Sequence, residues 1–335
     1  MTDAPPPYAP TPQWDQATAA VDSAASILLV THVSPDGDAI GSLLGLANAL
    51  QQRGCKVAQM VVDGGVPDYL AFLPGASGVR AAASGDFDLL ISLDSSDDER
   101  SGDAGVYGRA HSRQVMNIDH HVTNTGFGAI HLVLPTAVST TEIVQRWLER
   151  MNQPLTPEIA VPLLTGLITD TIGFRTSNVT GETLTLAQRL MDAGASLNEI
   201  MQRTLSSKKY AVMKLWGDVL PSTQLEDGII SAVITQEAVK RAGLPEITDG
   251  GLVEFLVTAN EAQISVVFKE KDDGRIEVGF RSKPGYEVGG VAFSLGGGGH
   301  KQASGATIPG PLEAARARVM PLLRSAYQQG KPAFS

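Results

Sequence analysis

The sequence predicts an α/β protein of two domains: a doubly wound, mostly parallel sheet first, then a smaller α/β domain. Three observations carry that prediction. Short β-rich runs alternate with helical patterns through the first two hundred residues, as a parallel sheet with helices on both faces requires. The pattern then gives way to one connecting helix and more closely spaced β-rich runs. Finally, 335 residues exceed what one small core needs and suit two domains.

The elements follow in order. The opening "MTDAPPPYAPTPQW" is proline-rich and predicts a disordered arm over residues 1–20. Runs at 27–31, 57–62, 89–94 and 115–119 read as strands, and 39–53, 139–151, 157–169 and 182–193 read as helices. Gly54 is placed to end the first helix, and Thr180 in "TGET" to cap the exposed amides of the last. Together these define a first domain over 21–205. "SSKKYAVMKLWGDVLPST" reads as a linker helix over 206–222, ended by a proline. The second domain, 223–330, holds β-rich runs at 228–235, 263–269 and 275–281 and then helical stretches. Its most distinctive loop is "FSLGGGGHKQASGA", 293–306.

Composition narrows the class. Hydrophobic residues make up 43% and aromatics only 5%, which suits an Ala/Gly/Leu-rich α/β protein. No apolar run approaches the roughly 20 residues that span a bilayer, and no basic-then-apolar leader opens the chain. A cytoplasmic protein without a membrane partner is therefore expected. The single cysteine, Cys55, excludes an internal disulfide and an all-thiolate zinc site. The net charge is −10, with the acidic excess in the first two hundred residues and a small basic excess after them. Either this is an ordinary acidic protein, or an acidic half holds cations and a basic half holds an anion.

Ligands of open α/β sheets bind outside the carboxyl ends of the strands. His32, Asp36 and Asp38 follow the first strand run, Asp94 ends a third in "LLISLDSSDD", and Asp119, His120 and His121 end a fourth in "MNIDHHVTN". Asp170 closes the helix pattern "LLTGLITDT" and is within reach of the same rim. Singly, each aspartate has a dull explanation as a helix cap or turn. Five carboxylates on one rim would repel strongly unless cations sat among them. Carboxylates with imidazoles suit Mn²⁺, with Mg²⁺ or Co²⁺ as alternatives. The donors outnumber what one ion needs, which favours two cations roughly 3.5–4 Å apart, an arrangement suited to phosphate-ester hydrolysis.

These residues resemble a known family. "HVSPDGDAIGS", "SLDSSD", "IDHH" and "TDT" look like the four motifs of the DHH phosphoesterase superfamily. "VGFRSK" and "EVGGVAFSLGGGGHKQASGA" look like the accompanying DHHA1 domain. The order and layout resemble the stand-alone oligoribonuclease/pAp phosphatase type. The resemblance implies that His32 and Asp36 ligate a first cation and Asp38, His120 and Asp170 a second, with Asp94 bridging both. It implies that His121 touches the scissile phosphate or backs the ligands, with Asp119 orienting the imidazole beside it. Arg281, Ser282, Gly297, Gly298, Gly299 and His300 would grip the substrate's phosphate end. Read from residues alone, the glycine run is either a flexible hairpin or a loop whose open amides cradle phosphate.

The expected activity is Mn²⁺-dependent exoribonuclease cleavage of short single-stranded oligoribonucleotides to nucleoside 5′-monophosphates. Small nucleotides such as 3′-phosphoadenosine 5′-phosphate (pAp) are expected as further substrates, and the resemblance implies a homodimer. Cyclic di-AMP or pApA hydrolysis is the alternative within the same chemistry. A non-catalytic nucleotide sensor is the alternative from another class.

Overall fold

The computed structural model describes residues 12–331. The chain falls into two compact units, Met1–Ser207 and Lys208–Ser335, each built on one six-stranded sheet of described strands. Among the described residues, no helix is long and apolar enough to cross a membrane.

The first unit runs α1 (Trp14–Ser23), β1 (Ile27–Thr31), α2 (Gly37–Arg53), β2 (Val57–Val61), β3 (Val79–Arg80), β4 (Phe87–Leu93), α3 (Gly102–Ala110), β5 (Ser112–Asp119), β6 (Ile130–Val133), α4 (Thr140–Arg150), α5 (Pro157–Asp170), α6 (Gly181–Asp192) and α7 (Leu197–Met201). All strands are parallel, in the order β3-β2-β1-β4-β5-β6. A parallel sheet covered on both faces has no polar side, which is why "ILLVT" is buried at every position. Leu28, Val30 and Leu90 pack with Ala104 of α3 on one face. Ile27, Leu29 and Ile91 belong to the larger core beneath α2, α4 and α5. Strand order reverses between β1 and β4, so the binding crevice of such a sheet lies at their carboxyl ends.

The α2–α5 crossing positions what lies there. Gly37, Gly41 and Gly45 recur every four residues along α2, and all three meet α5. A Cβ on Gly41 would stand 2.5 Å from the Pro162 carbonyl oxygen, so only glycine admits this approach. The two helices run antiparallel, with Gly37 against Thr169. The start of α2 and the end of α5 therefore share one rim.

Several elements were not legible beforehand. Trp14–Ser23 is a helix rather than part of a disordered arm: Ala17 and Val21 are fully buried, and Trp147 Nε1 donates to Thr18 Oγ1 over 3.0 Å. Its small residues seat it on the core despite the prolines before it. Residues 1–11 of the expected arm lie outside the described residues. Helix α3, "GDAGVYGRA", carries three glycines that weaken its helical signal, and β3 and β6 are too short to show a pattern.

The second unit comprises α8 (Tyr210–Val219), β7 (Gln224–Glu226), β8 (Ile229–Ile234), α9 (Gln236–Ala242), α10 (Leu252–Leu256), β9 (Ile264–Glu270), β10 (Arg275–Ser282), α11 (Gly289–Ser294), β11 (Gly298–Gly299), β12 (Ala303–Pro309) and α12 (Leu312–Gln329). Its sheet, β11-β12-β10-β9-β8-β7, is antiparallel except between β8 and β9. Helix α12 covers Phe268 and Phe280 on one face. On the other, Leu215 and Val219 of α8 pack with Ile230, Val239 and Leu252. The helix expected as a linker is thus built into this unit's core. Strand β12, "ASGATIP", runs from the end of the loop read over 293–306 into a stretch expected to be helical, and its alternating Ser304, Ala306 and Ile308 face inward.

Candidate metal and phosphoester site

At the carboxyl end of β1 the chain turns outward and re-enters as α2. His32 is buried, and its Nδ1 lies 2.8 Å from the Val33 carbonyl oxygen, so that nitrogen carries the proton and Nε2 is left as a donor atom. Asp36 is the N-cap of α2: its Oδ1 accepts from the amides of Asp38 and Ala39 at 3.0 and 3.1 Å. Asp38, two residues on, points back to the start of α4. Its Oδ2 accepts from Thr140 N at 2.6 Å and its Oδ1 from Thr141 N at 3.0 Å. The dull reading of these aspartates as caps is therefore true of both, and each still has lone pairs to offer.

Asp94 stands where β4 ends, in the left-handed region at φ 56°, a conformation that costs a non-glycine residue free energy and turns its side chain into the crevice. Its Oδ2 lies 3.4 Å from His32 Nε2. Its Oδ1 accepts from Thr140 Oγ1 at 2.9 Å and lies 3.7 Å from His120 Nε2. One carboxylate thus faces three imidazoles, His32 with Oδ2 and His120 and His121 with Oδ1. His120 Nε2 is also 3.4 Å from Asp170 Oδ2 and 3.9 Å from Asp38 Oδ2. His121 Nδ1 lies 2.7 Å from Asp119 Oδ1, and its ring meets that of His120 edge-on with centroids 4.7 Å apart.

Within the first unit, three sets emerge in which every donor atom lies within 4.8 Å of the others: His32, Asp36 and Asp94; Asp38, His120 and Asp170; Asp94, Asp119 and His121. All eight first-domain residues named from the sequence converge. The electrostatics match. Burial, with the charge of Asp94, pushes the Asp38 carboxyl up to about 7. Burial, with the charges of Asp38, Asp36 and Asp94, pushes Asp170 well above the usual carboxylate range. Burial also opposes the charge on Asp94, but His32, His121 and His120 outweigh it and hold that carboxyl well below its ordinary value. The result is a partly buried pocket of hard oxygen and imidazole donors with excess negative charge, which is compatible with divalent cations.

In the second unit, Arg281 sits one residue before the end of β10. Its Nη1 donates to the Phe280 carbonyl at 2.8 Å and its Nη2 pairs with Glu254. The Arg281 Nε is buried without a hydrogen-bond partner among the described residues. Arg281, Lys269, Glu254, Gly296 and Gly297 line a cavity of about 520 Å³. Ser282 is buried, its hydroxyl donated to the Tyr286 carbonyl over 2.7 Å, so it supports this turn from within. Of the two readings of the glycine run, hairpin or amide cradle, the structure shows several amides taken up within the loop. Gly296 N donates to Phe293 O, Gly297 N to Ala292 O and His300 N to Ala303 O. Gly298 and Gly299 form β11 and are exposed. Two of the glycines serve close approach: a Cβ on Gly297 would lie 2.1 Å from Gly305 O and one on Gly299 2.6 Å from Ala303 O.

With this geometry in hand, comparison with known proteins is decisive. Residues 26–167 match the model of the DHH family, N-terminal domain, and residues 229–324 that of the DHHA1 domain. "Bifunctional oligoribonuclease and PAP phosphatase NrnA" of Thermus thermophilus is 37% identical over 305 residues, covering 89% of each chain. The Bacillus subtilis protein of the same name is 32% identical, over 84% of this chain and 89% of its own.

The chain belongs to the DHH phosphoesterase family, and it is an enzyme.

A solved exopolyphosphatase-related protein from Bacteroides fragilis shares the whole architecture, with a TM-score of 0.86 at 25% identity over 94% of this chain and 96% of that one. RecJ from Thermus thermophilus, solved with Mn²⁺, shares the fold alone, with a TM-score of 0.52 at 16% identity over 93% of this chain and 54% of that one. Around the DHH motif itself, the sequence reading missed the residues that hold the ligand-type side chains still. Thr140 and Thr141 supply two amides and a hydroxyl to Asp38 and Asp94. Asn117 and Asn124, both buried, lie behind Asp119. The "ST" before α4 signals only a helix cap, and Ser139 does cap that helix. Asn124 closes the quoted "MNIDHHVTN", but nothing in its spacing separates it from a turn residue.

Proposed function

We propose that this DHH-family enzyme hydrolyses the phosphodiester bonds of short oligoribonucleotides to nucleoside 5′-monophosphates, using two divalent cations, Mn²⁺ foremost. Removal of the 3′-phosphate of pAp is the proposed second activity, and the cytoplasm the proposed setting. The observation that carries this reading is that Asp94 is shared: one oxygen faces the His32 set and the other faces the His120 set. His32 and Asp36 would hold one cation, Asp38, His120 and Asp170 the other, and Asp94 both. Such ions supply Lewis acidity, lowering the pKa of water and neutralising phosphate charge.

The protein's own side chains do the rest. The Val33 carbonyl fixes the His32 tautomer, and a carbonyl or carboxylate behind a ligand histidine sets its orientation and basicity. Asp119 takes the Nδ1 proton of His121 as a hydrogen bond, leaving Nε2 to face an incoming phosphate. Protonated as well at Nε2, the ring donates to a phosphate oxygen and passes that proton to the departing ribose oxygen. Water adds to phosphorus and the 3′ oxygen leaves as a hydroxyl, so atoms and protons balance. Arg281 and the loop around Gly297, Gly298, Gly299 and His300 are proposed to hold the substrate's phosphate end. Arg281, whose Nε has no hydrogen-bond partner among the described residues, lines a cavity, which supports this; a phosphate that displaced Glu254 from Nη2 would meet Nε and Nη2 together as two donors. The names of the Thermus and Bacillus relatives favour RNA ends and pAp over other esters.

Release rates from labelled RNA dimers to pentamers, pAp and cyclic di-AMP, each with Mn²⁺, test the reading. Mononucleotides from the RNA series and inorganic phosphate from pAp are expected. Faster turnover of cyclic di-AMP than of every RNA would overturn the substrate class. No turnover of any of them would overturn the activity.

A further inference from the structure

Behind the proposed catalytic face lies a buried polar network that the mechanism above does not use. Asn124 is 2% exposed and Asn117 fully buried. The Asn124 amide donates from Nδ2 to Asp119 Oδ2 at 2.6 Å and to Asn117 Oδ1 at 2.8 Å, with the Ser95 carbonyl at 3.3 Å. Its own Oδ1 accepts from Gly126 N at 2.8 Å. Both ends of the amide are thus specified. Flipping it would turn its oxygen toward three acceptors and its NH₂ toward an amide hydrogen. Asn117 Nδ2 in turn donates to the carbonyl of Ser95, the residue immediately after Asp94, at 3.2 Å.

The two oxygens of Asp119 therefore have separate duties. One is fixed by Asn124 and the other holds His121 Nδ1 at 2.7 Å. A buried carboxylate with one oxygen untied could rotate, and that rotation would release the imidazole.

We infer that Asn124 is a positioning residue of the phosphoester site: through Asp119 it fixes the orientation of His121, and through Asn117 and Ser95 it braces the turn that carries Asp94. This inference rests on the phosphoesterase reading above. Residues behind a ligand histidine are typically worth about 10–100-fold in activity or metal affinity. Because Asn124 acts through His121, its loss has no further effect once His121 is gone.

The test uses the full-length protein as wild type, Asn124→Ala, Asn124→Ser, His121→Ala and the His121→Ala/Asn124→Ala double variant. Turnover of an RNA dinucleotide with Mn²⁺ is measured, together with ¹⁵N-histidine NMR of the metal-free protein. Asn124→Ala is expected to lower kcat about 10–100-fold with KM within about threefold. The double variant should match His121→Ala within about twofold. In the NMR spectrum, the hydrogen-bonded Nδ1 proton that His121→Ala removes should be lost or exchange-broadened in Asn124→Ala. If Asn124→Ala does not fold, Asn124→Ser is judged by the same criteria. Wild-type kcat in the Asn124 variants, a double variant that falls by the product of the singles, or an unchanged Nδ1 proton overturns the inference. An inactive wild type refutes the phosphoesterase reading instead, and the NMR arm still decides whether Asn124 holds His121.

Discussion

Thr140 donates its hydroxyl to Asp94 Oδ1 over 2.9 Å while its backbone amide donates to Asp38 Oδ2 over 2.6 Å. One residue at the start of α4 thus holds two carboxylates that would otherwise repel. Thr140→Val removes the hydroxyl, keeps the shape and leaves the amide in place. About tenfold weaker Mn²⁺ affinity is expected, with little change in fold. Isothermal titration of both proteins checks it, and equal affinities would contradict the role given to the hydroxyl.

Crowded like charges destabilise the metal-free protein, and a cation that binds only the folded state adds RT ln(1 + [L]/Kd), about 2.7 kcal/mol at a hundredfold excess over Kd. For a unit of this size that is roughly a 5–10 °C rise in Tm. Thermal scans with Mn²⁺, and again after EDTA, should show the rise and its reversal.

The same crowding sets a pH dependence. In the metal-free protein burial and Asp94 push Asp38 up to about 7. His120, despite a burial cost, is raised by Asp94 and Asp38. Below about pH 7 a cation must displace these protons. Apparent affinity should therefore fall as pH drops through 7 and level off above it, with net proton release near neutrality. Titrations in two buffers of different ionisation enthalpy measure that release, and its absence would contradict the account.

Close approach of α2 and α5 puts Asp38 and Asp170 on one rim. Gly41→Ala drives a methyl to 2.5 Å from the Pro162 carbonyl. The expected cost is about 1–3 kcal/mol in urea unfolding, together with weakened Mn²⁺ binding because Asp170 is displaced. Loss of stability with unchanged binding would separate the crossing from the site.

The site was more legible in the sequence than the elements around it. Strand-end acids and imidazoles keep their meaning in a linear reading, because a parallel sheet delivers every carboxyl end to one edge. So His32, Asp94 and His120 could be grouped across almost ninety positions. Helix α1 was hidden because its small residues become a core face only once α4 and β6 lie beneath them. Thr140 and Asn124 were hidden for a related reason: a hydroxyl or amide has no function until its acceptors are placed. The glycine run stayed ambiguous for a different reason: that the Gly296 and Gly297 amides bond back to α11 shows only in the folded loop.

Asp94 offers the most direct measurement. It caps no helix, so Asp94→Ala leaves a folded protein, and hydrolysis depends on the carboxylate that both donor sets share. Mn²⁺-dependent release of nucleoside 5′-monophosphate from an RNA dinucleotide should be robust in the wild type and at background in folded Asp94→Ala. A variant that keeps near-wild-type hydrolysis would contradict the account.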